Sequence, residues 1–155
     1  SFHGKNNYPF RKEISDLDYE FDDGTKDDFY LNTLNKILPD LINRIEPDFI
    51  FYLAGVDILK NDKLGRLSIS LDGCKQRDKI VMDLCKKMKI PIQISMGGGY
   101  SSSIDEIVEA HCNTFVTAQE IFFNKWRIEF IFLFCVVLKF KNEKVILNFI
   151  YFSST

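Results

Sequence analysis

From Asp27 to Ile45 the apolar residues Phe29, Tyr30, Leu34, Ile37, Leu38, Leu41 and Ile45 recur at intervals of three and four, the period of a helix with one buried face. Pro39 interrupts that pattern and predicts a kink or a split, because proline removes a backbone donor and crowds the preceding turn. Glu46-Pro47-Asp48 breaks the helix. FIFYLAG then follows as an unbroken apolar run, the pattern of a strand buried on both faces. Val56 to Leu71 reads as a loop, VDILKNDKLGRLSISL, ending near Gly73. A second helix, from about Cys74 to Lys89, sets Ile80, Val81, Leu84 and Met88 on one side and ends in KKMK, which suits the negative end of the helix dipole. Pro91 opens the next strand, IPIQISM, which empties into three glycines. Ile104 to about Ile121 forms a third helix, with serine before it as a cap and acidic residues in its first turn.

Ser1 to Thr25 is loop-like, rich in turn formers and closed by FDDGT. The remaining order, helix, strand, loop, helix, strand, loop, helix, is the signature of a parallel α/β sheet. From Phe122 onward the chain has no Gly or Pro and holds eight of its fifteen phenylalanines. IEFIFLFCVVLKF and VILNFIYF flank the polar KNEK, and both runs are shorter than the roughly 20 apolar residues a membrane helix needs. A hairpin around KNEK is one expectation for this tail, and a segment outside the core is the other. The domain organisation expected is one α/β unit over residues 1–121 and an atypical Phe-rich tail over residues 122–155.

At 155 residues, 46% of them hydrophobic, the chain is long enough to bury a core. A net charge of −2 leaves no basic stripe for nucleic acid, so any link to chromatin runs through protein. Cys74, Cys85, Cys112 and Cys135 form no CxxC pair, which favours free thiols in a reducing compartment, nucleus or cytoplasm. No secretory signal is visible at SFHGKNN, and this start reads as a cut.

In open parallel sheets ligands bind beyond the carboxyl ends of the strands. Two loops begin there: AGVD places Asp57 after the first strand, and GGGY places Tyr100 after the second. If the strands are neighbours, a hard oxygen ligand and a hydrogen-bond donor for an oxyanion face one pocket. Each residue also has a plain structural reading, Asp57 as a turn former and Tyr100 as a half-buried aromatic. GGGYSSS looks like a phosphate-cradling nest too, although no GxGxxG and no lysine-serine pair accompanies it. His3, in a loop, and His111, in a helix, are too few for a histidine-rich zinc site, and His111 reads as structural. GxSxG and HExxH are absent.

SFHGKNNYPFRKEISDLD, DDGTKDDFYL, PDFIFYLAGVDILKNDKLGRLSISLDG, RDKIV, IPIQISMGGGY and IVEAHCNTF, in this order over roughly residues 1 to 120, resemble the histone deacetylase family. The similarity is to the class IV type and its bacterial, acetoin-utilisation-type relatives. The resemblance implies the arginase/deacetylase fold, a parallel sheet with helices on both faces, and zinc-dependent removal of acyl groups from lysine on histones or other proteins. It makes Asp57 a zinc ligand, Tyr100 the catalytic tyrosine that polarises the scissile carbonyl, Gly98 and Gly99 the lining of the acyl-lysine tunnel, and Leu64 a wall residue near its mouth. Ser1 and Phe2 fall where relatives hold a structural potassium ion. The family's two adjacent histidines and its DxDxHxGNG-like strand end do not occur here. The chain is therefore expected to be the C-terminal half of the domain and inactive alone, with neither nucleic acid nor membrane as a direct partner. A truncated, non-catalytic interaction module is the alternative.

Overall fold

The computed structural model describes residues 1 to 123. In chain order the elements are β1 (Phe2–Gly4), β2 (Tyr19–Phe21), α1 (Asp27–Ile45), β3 (Ile50–Gly55), α2 (Leu71–Met88), β4 (Ile92–Gly97) and α3 (Ile104–Phe122). β3 pairs with β4 and β1 with β2, both in parallel. The expected hairpin around KNEK lies outside the described residues.

One core joins all of these elements. Ile50, Tyr52 and Ala54 of β3 and Ile92 and Ile94 of β4 meet Leu34, Leu38 and Ile42 of α1, Val81, Met82 and Cys85 of α2, and Ala110 and Ala118 of α3. Burial of such side chains contributes about 1.5–3 kcal/mol each. At the N-terminal end of α2, Ser70 accepts a hydrogen bond from Gly73 N at 2.9 Å, so the helix starts at Leu71, before the expected Cys74. Asp27, first in α1, accepts from Ser70 N at 2.8 Å and Ser70 Oγ at 2.5 Å. One carboxylate thereby serves the positive ends of two helices.

Pro39 does not split α1, which runs unbroken from Asp27 to Ile45. The neighbouring Leu38, Leu41 and Ile42 are buried, and their packing outweighs the cost of about 3 kcal/mol that proline imposes. The N-terminal segment is not all loop: β1 and β2 are three residues each, too short to show strand periodicity, and Phe2, Tyr19 and Phe21 pack ring against ring. His3 accordingly sits on a strand. The continuous apolar run of β3 is not buried equally on its two faces, for Phe51 and Leu53 are only partly covered among the described residues. Met88, expected on the apolar side of α2, is exposed at the end of the helix. Among the described residues no helix is long and apolar enough to cross a membrane.

Candidate active site at the carboxyl ends of the parallel strands

β3 and β4 run in register from Ile50 opposite Ile92 to Gly55 opposite Gly97, so their carboxyl ends open side by side. Val56 N donates to Gly97 O at 2.9 Å and carries the pairing one step further. Asp57 comes next, 6% exposed. Two glycines close on it. A Cβ on Gly98, whose φ is +65°, would lie 2.8 Å from both Cβ and Cγ of Asp57. On the other side, a Cβ on Gly65 would lie 1.7 Å from the Asp57 carbonyl oxygen. Such approaches are closed to any residue with a side chain unless the backbone moves. Gly99, at φ +102°, lies against Ile107 and Val56 and brings α3 up to the same loops.

Asp62 ties the two loops together. Its Oδ1 accepts from Leu64 N at 2.9 Å and Gly65 N at 2.7 Å, and its Oδ2 accepts from Tyr100 N at 2.6 Å. Asp62 and Ser101 also form an antiparallel bridge, and Asn61 Nδ2 donates to Glu106 Oε2 at 3.0 Å. Asp57, Leu64, Gly98, Gly99 and Tyr100 thus belong to one cluster of loops. The side chains of Tyr100 and Leu64 stand open, 57% and 42% exposed, while the carboxylate of Asp57 is buried.

Beneath the loops lies a buried polar network. Arg77 Nη1 donates to Gly55 O at the end of β3, and its Nε and Nη2 donate to Asp78 Oδ1 at 2.9 and 2.7 Å. Asp78 also accepts from the Tyr52 hydroxyl and, on Oδ2, from Thr114 Oγ1 at 2.6 Å. Burial holds the Tyr52 phenol well above its ordinary pKa, which keeps it a donor. Burial pulls the Arg77 guanidinium down, but Asp78 and the neighbouring Cys74, Tyr52 and Tyr30 outweigh it and leave the cation fixed. Burial likewise pushes the Tyr30 phenol to about 12 and the Cys74 thiol to about 11, and the charge of Asp57 adds to both. The network locks the strand end two residues before Asp57.

Ser1 and Phe2 lie at β1, where Ser1 O accepts from Tyr19 N at 2.8 Å, Ser1 Oγ is 2.7 Å from His3 Nδ1, and Phe2 stacks on Tyr19. His3 is buried on that sheet with Nε2 3.7 Å from Glu20 Oε1, and His111 is on α3. Asp62, Arg77 and Asp78 carry the geometry without having been singled out by the sequence reading. A signal existed for the pair: Arg77 and Asp78 fall between Cys74 and Val81 at helical spacing, on the face the core needs. For a metal, Asp57 is a suitable oxygen donor, but among the described residues no group of three His, Cys, Asp or Glu could hold an ion. Asp57 alone does not fit catalytic zinc, which takes about three protein ligands.

Residues 1–115 match the family model of the histone deacetylase domain. An uncharacterized protein of Picosynechococcus is 35% identical over 122 residues, covering 79% of this chain and 41% of the relative. Histone deacetylase 2 of Arabidopsis thaliana is 35% identical over 104 residues, covering 65% of this chain and 27% of the relative. Among solved structures, acetylpolyamine aminohydrolase from Burkholderia pseudomallei superposes with a TM-score of 0.63 at 17% identity, over 77% of this chain and 37% of that one. The HDA15 HD domain superposes with a TM-score of 0.56 at 16% identity, over 77% of this chain and 41% of that one. The fold is the arginase/deacetylase fold, in part. This chain, spanning less than half the length of these curated relatives, belongs to the histone deacetylase family.

Proposed function

We propose that the chain is the C-terminal part of a zinc-dependent lysine deacetylase domain of class IV type, one that hydrolyses the amide between an acyl group and a lysine side chain on histones or other proteins. The observation that carries this reading is the closure of Gly98 on the buried Asp57 while Tyr100, two residues on, stands open at the same strand ends. Tyr100 is the catalytic residue. Its phenol donates a hydrogen bond to the acyl carbonyl oxygen as that oxygen gathers negative charge, a contribution typically worth about 2.7–4 kcal/mol. Gly98 and Gly99 let the backbone lie against the narrow alkyl chain of the substrate, and Leu64 forms a wall near the mouth. Ser1 and Phe2 contribute to a potassium site on β1.

Asp57 supplies one zinc ligand in this reading, and the other ligands and the histidine pair come from outside the described residues. The 155-residue chain by itself is accordingly expected to be inactive. Small acylated amines are the competing substrate class, by analogy with the aminohydrolase among the structural neighbours. The free thiols of Cys74, Cys85 and Cys112 support a reducing compartment, nucleus or cytoplasm.

The test uses a chain extended to carry the complete ligand set. Tyr100→Phe is expected to lower kcat about 100- to 1000-fold with zinc content unchanged, and Asp57→Asn to lower zinc content itself. Full turnover by Tyr100→Phe excludes the assignment. Absence of hydrolysis in every extended form replaces it with the interaction-module reading.

A further inference from the structure

We propose that Asp62 is the positioning residue for Tyr100, a clamp that sets the catalytic tyrosine by holding its backbone rather than its ring; the inference rests on the deacetylase reading of the site. Tyr100 follows two glycines at positive φ, Gly98 at +65° and Gly99 at +102°, the most permissive backbone available for a residue that must be aimed. Its side chain is mostly exposed and receives little guidance from packing. The restraint comes from Asp62, whose Oδ2 accepts from Tyr100 N at 2.6 Å, a distance typical of a strong bond to a charged acceptor. The other oxygen of the same carboxylate is held in place by Leu64 N and Gly65 N, at 2.9 and 2.7 Å. Gly65 in turn abuts the carbonyl of Asp57. A single carboxylate therefore relates the tyrosine to the wall residue Leu64 and to the loop that carries Asp57. The bridge from Asp62 to Ser101 and the bond from Asn61 to Glu106 brace it on either side.

The chemistry of the side chain offers a selective perturbation. In Asp62→Asn the one carbonyl oxygen can still accept from Leu64 and Gly65, but the amide nitrogen is a donor and cannot accept from Tyr100 N. Asn should keep the turn and release the tyrosine. Asp62→Ala should lose both.

The experiment is residue-resolved amide hydrogen exchange on the full chain, wild type against the two variants, with urea midpoints as a control for global stability. For Asp62→Asn we expect exchange at Tyr100 to rise about ten- to a hundredfold, the loss of one bond to a charged acceptor, with Leu64, Gly65 and the midpoint little changed. For Asp62→Ala all three amides should accelerate. Unchanged exchange at Tyr100 in Asp62→Asn overturns the clamp, as does equal acceleration at all three amides with a fallen midpoint, which marks a merely structural aspartate. In a catalytically complete chain, Asp62→Asn should lower kcat with KM held within about twofold, the pattern of a misaimed transition-state donor. A loss confined to KM overturns the positioning role. Protected Tyr100 in a complete chain that hydrolyses nothing overturns the catalytic purpose of the clamp and the deacetylase reading together, a result distinct from failure of the clamp itself.

Discussion

Gly98→Ala probes the contact between the glycine loop and the Asp57 side chain, and Gly24→Ala supplies its internal control. Both glycines have positive φ, +65° at Gly98 and +76° at Gly24, so both variants carry the left-handed penalty of about 1–2 kcal/mol for an L-residue. Both also recover about 0.4–1 kcal/mol from the reduced freedom of the unfolded chain. The difference lies in the space around them. A Cβ at Gly24 meets nothing within 4 Å, whereas at Gly98 it falls 2.8 Å from Cβ and Cγ of Asp57 and 2.9 Å from Oδ1. These are not the loose end of a long side chain, because Asp57 is buried and Cβ and Cγ are its first side-chain atoms. Overpacking of this kind typically costs about 1–3 kcal/mol. We therefore expect Gly24→Ala to cost about 1 kcal/mol or less and Gly98→Ala about 2–4 kcal/mol. Equilibrium urea unfolding resolves that gap as a shift in midpoint at constant slope. Equal midpoints for the two variants would refute the claim that the glycine loop closes directly on Asp57.

Arg77→Met should destabilise by about 3–5 kcal/mol, because it leaves Asp78 buried without its cation, whereas Lys79→Met, in an exposed pair with Asp83, should stay within about 0.5 kcal/mol. Similar urea midpoints for the two would contradict the assignment of the Arg77 network as the anchor of β3. Stability should also fall as the solution is acidified. Burial, reinforced by Lys12 at His3 and by Arg77 at His111, holds both imidazoles below the ordinary value of 6.5 in the folded state. The unfolded chain then takes up protons first as pH drops through 6.5, so stability is lost from about pH 7 downward until the folded histidines titrate as well. Urea midpoints between pH 7.5 and 5.5 should decline, and His111→Gln should flatten the decline; a midpoint that rises on acidification would reverse the sign of this argument.

The helices were legible because each must bury one stripe, and a 3.6-residue period survives in any sequence that does so. Their ends were less so. The start of α2 depends on Ser70 accepting from Gly73, a local bond that apolar periodicity does not register. β1 and β2 were hidden because three residues cannot display an alternation and because their partner is another short segment brought close only by folding. Pro39 misled in the opposite direction, since an intrinsic preference lost to the packing of Leu38, Leu41 and Ile42. Asp57 and Tyr100 stood out because each follows a strand that ends in small residues, and the parallel register of β3 and β4 then brings their loops together. Asp62 did not stand out. In KNDKLG it reads as one more solvated charge, and only the three-dimensional meeting of two loops gives its second oxygen a task. Ser1 and Phe2 are expected to serve an ion, and the short β1/β2 pairing that holds them carried no periodic signal of its own.

In the proposed function these loops are one half of a hydrolytic metal site. Zinc content and acetyl-lysine hydrolysis, measured side by side on the 155-residue chain and on a chain joined to an N-terminal portion of a deacetylase domain that carries the histidine pair and the other zinc ligands, address this reading. The shorter chain is expected to hold no stoichiometric zinc and to be inactive, while the joined chain is expected to bind one zinc per molecule, turn over, and lose turnover with Tyr100→Phe. A joined chain that folds and binds zinc yet hydrolyses nothing, or hydrolyses equally well without the Tyr100 phenol, would contradict it.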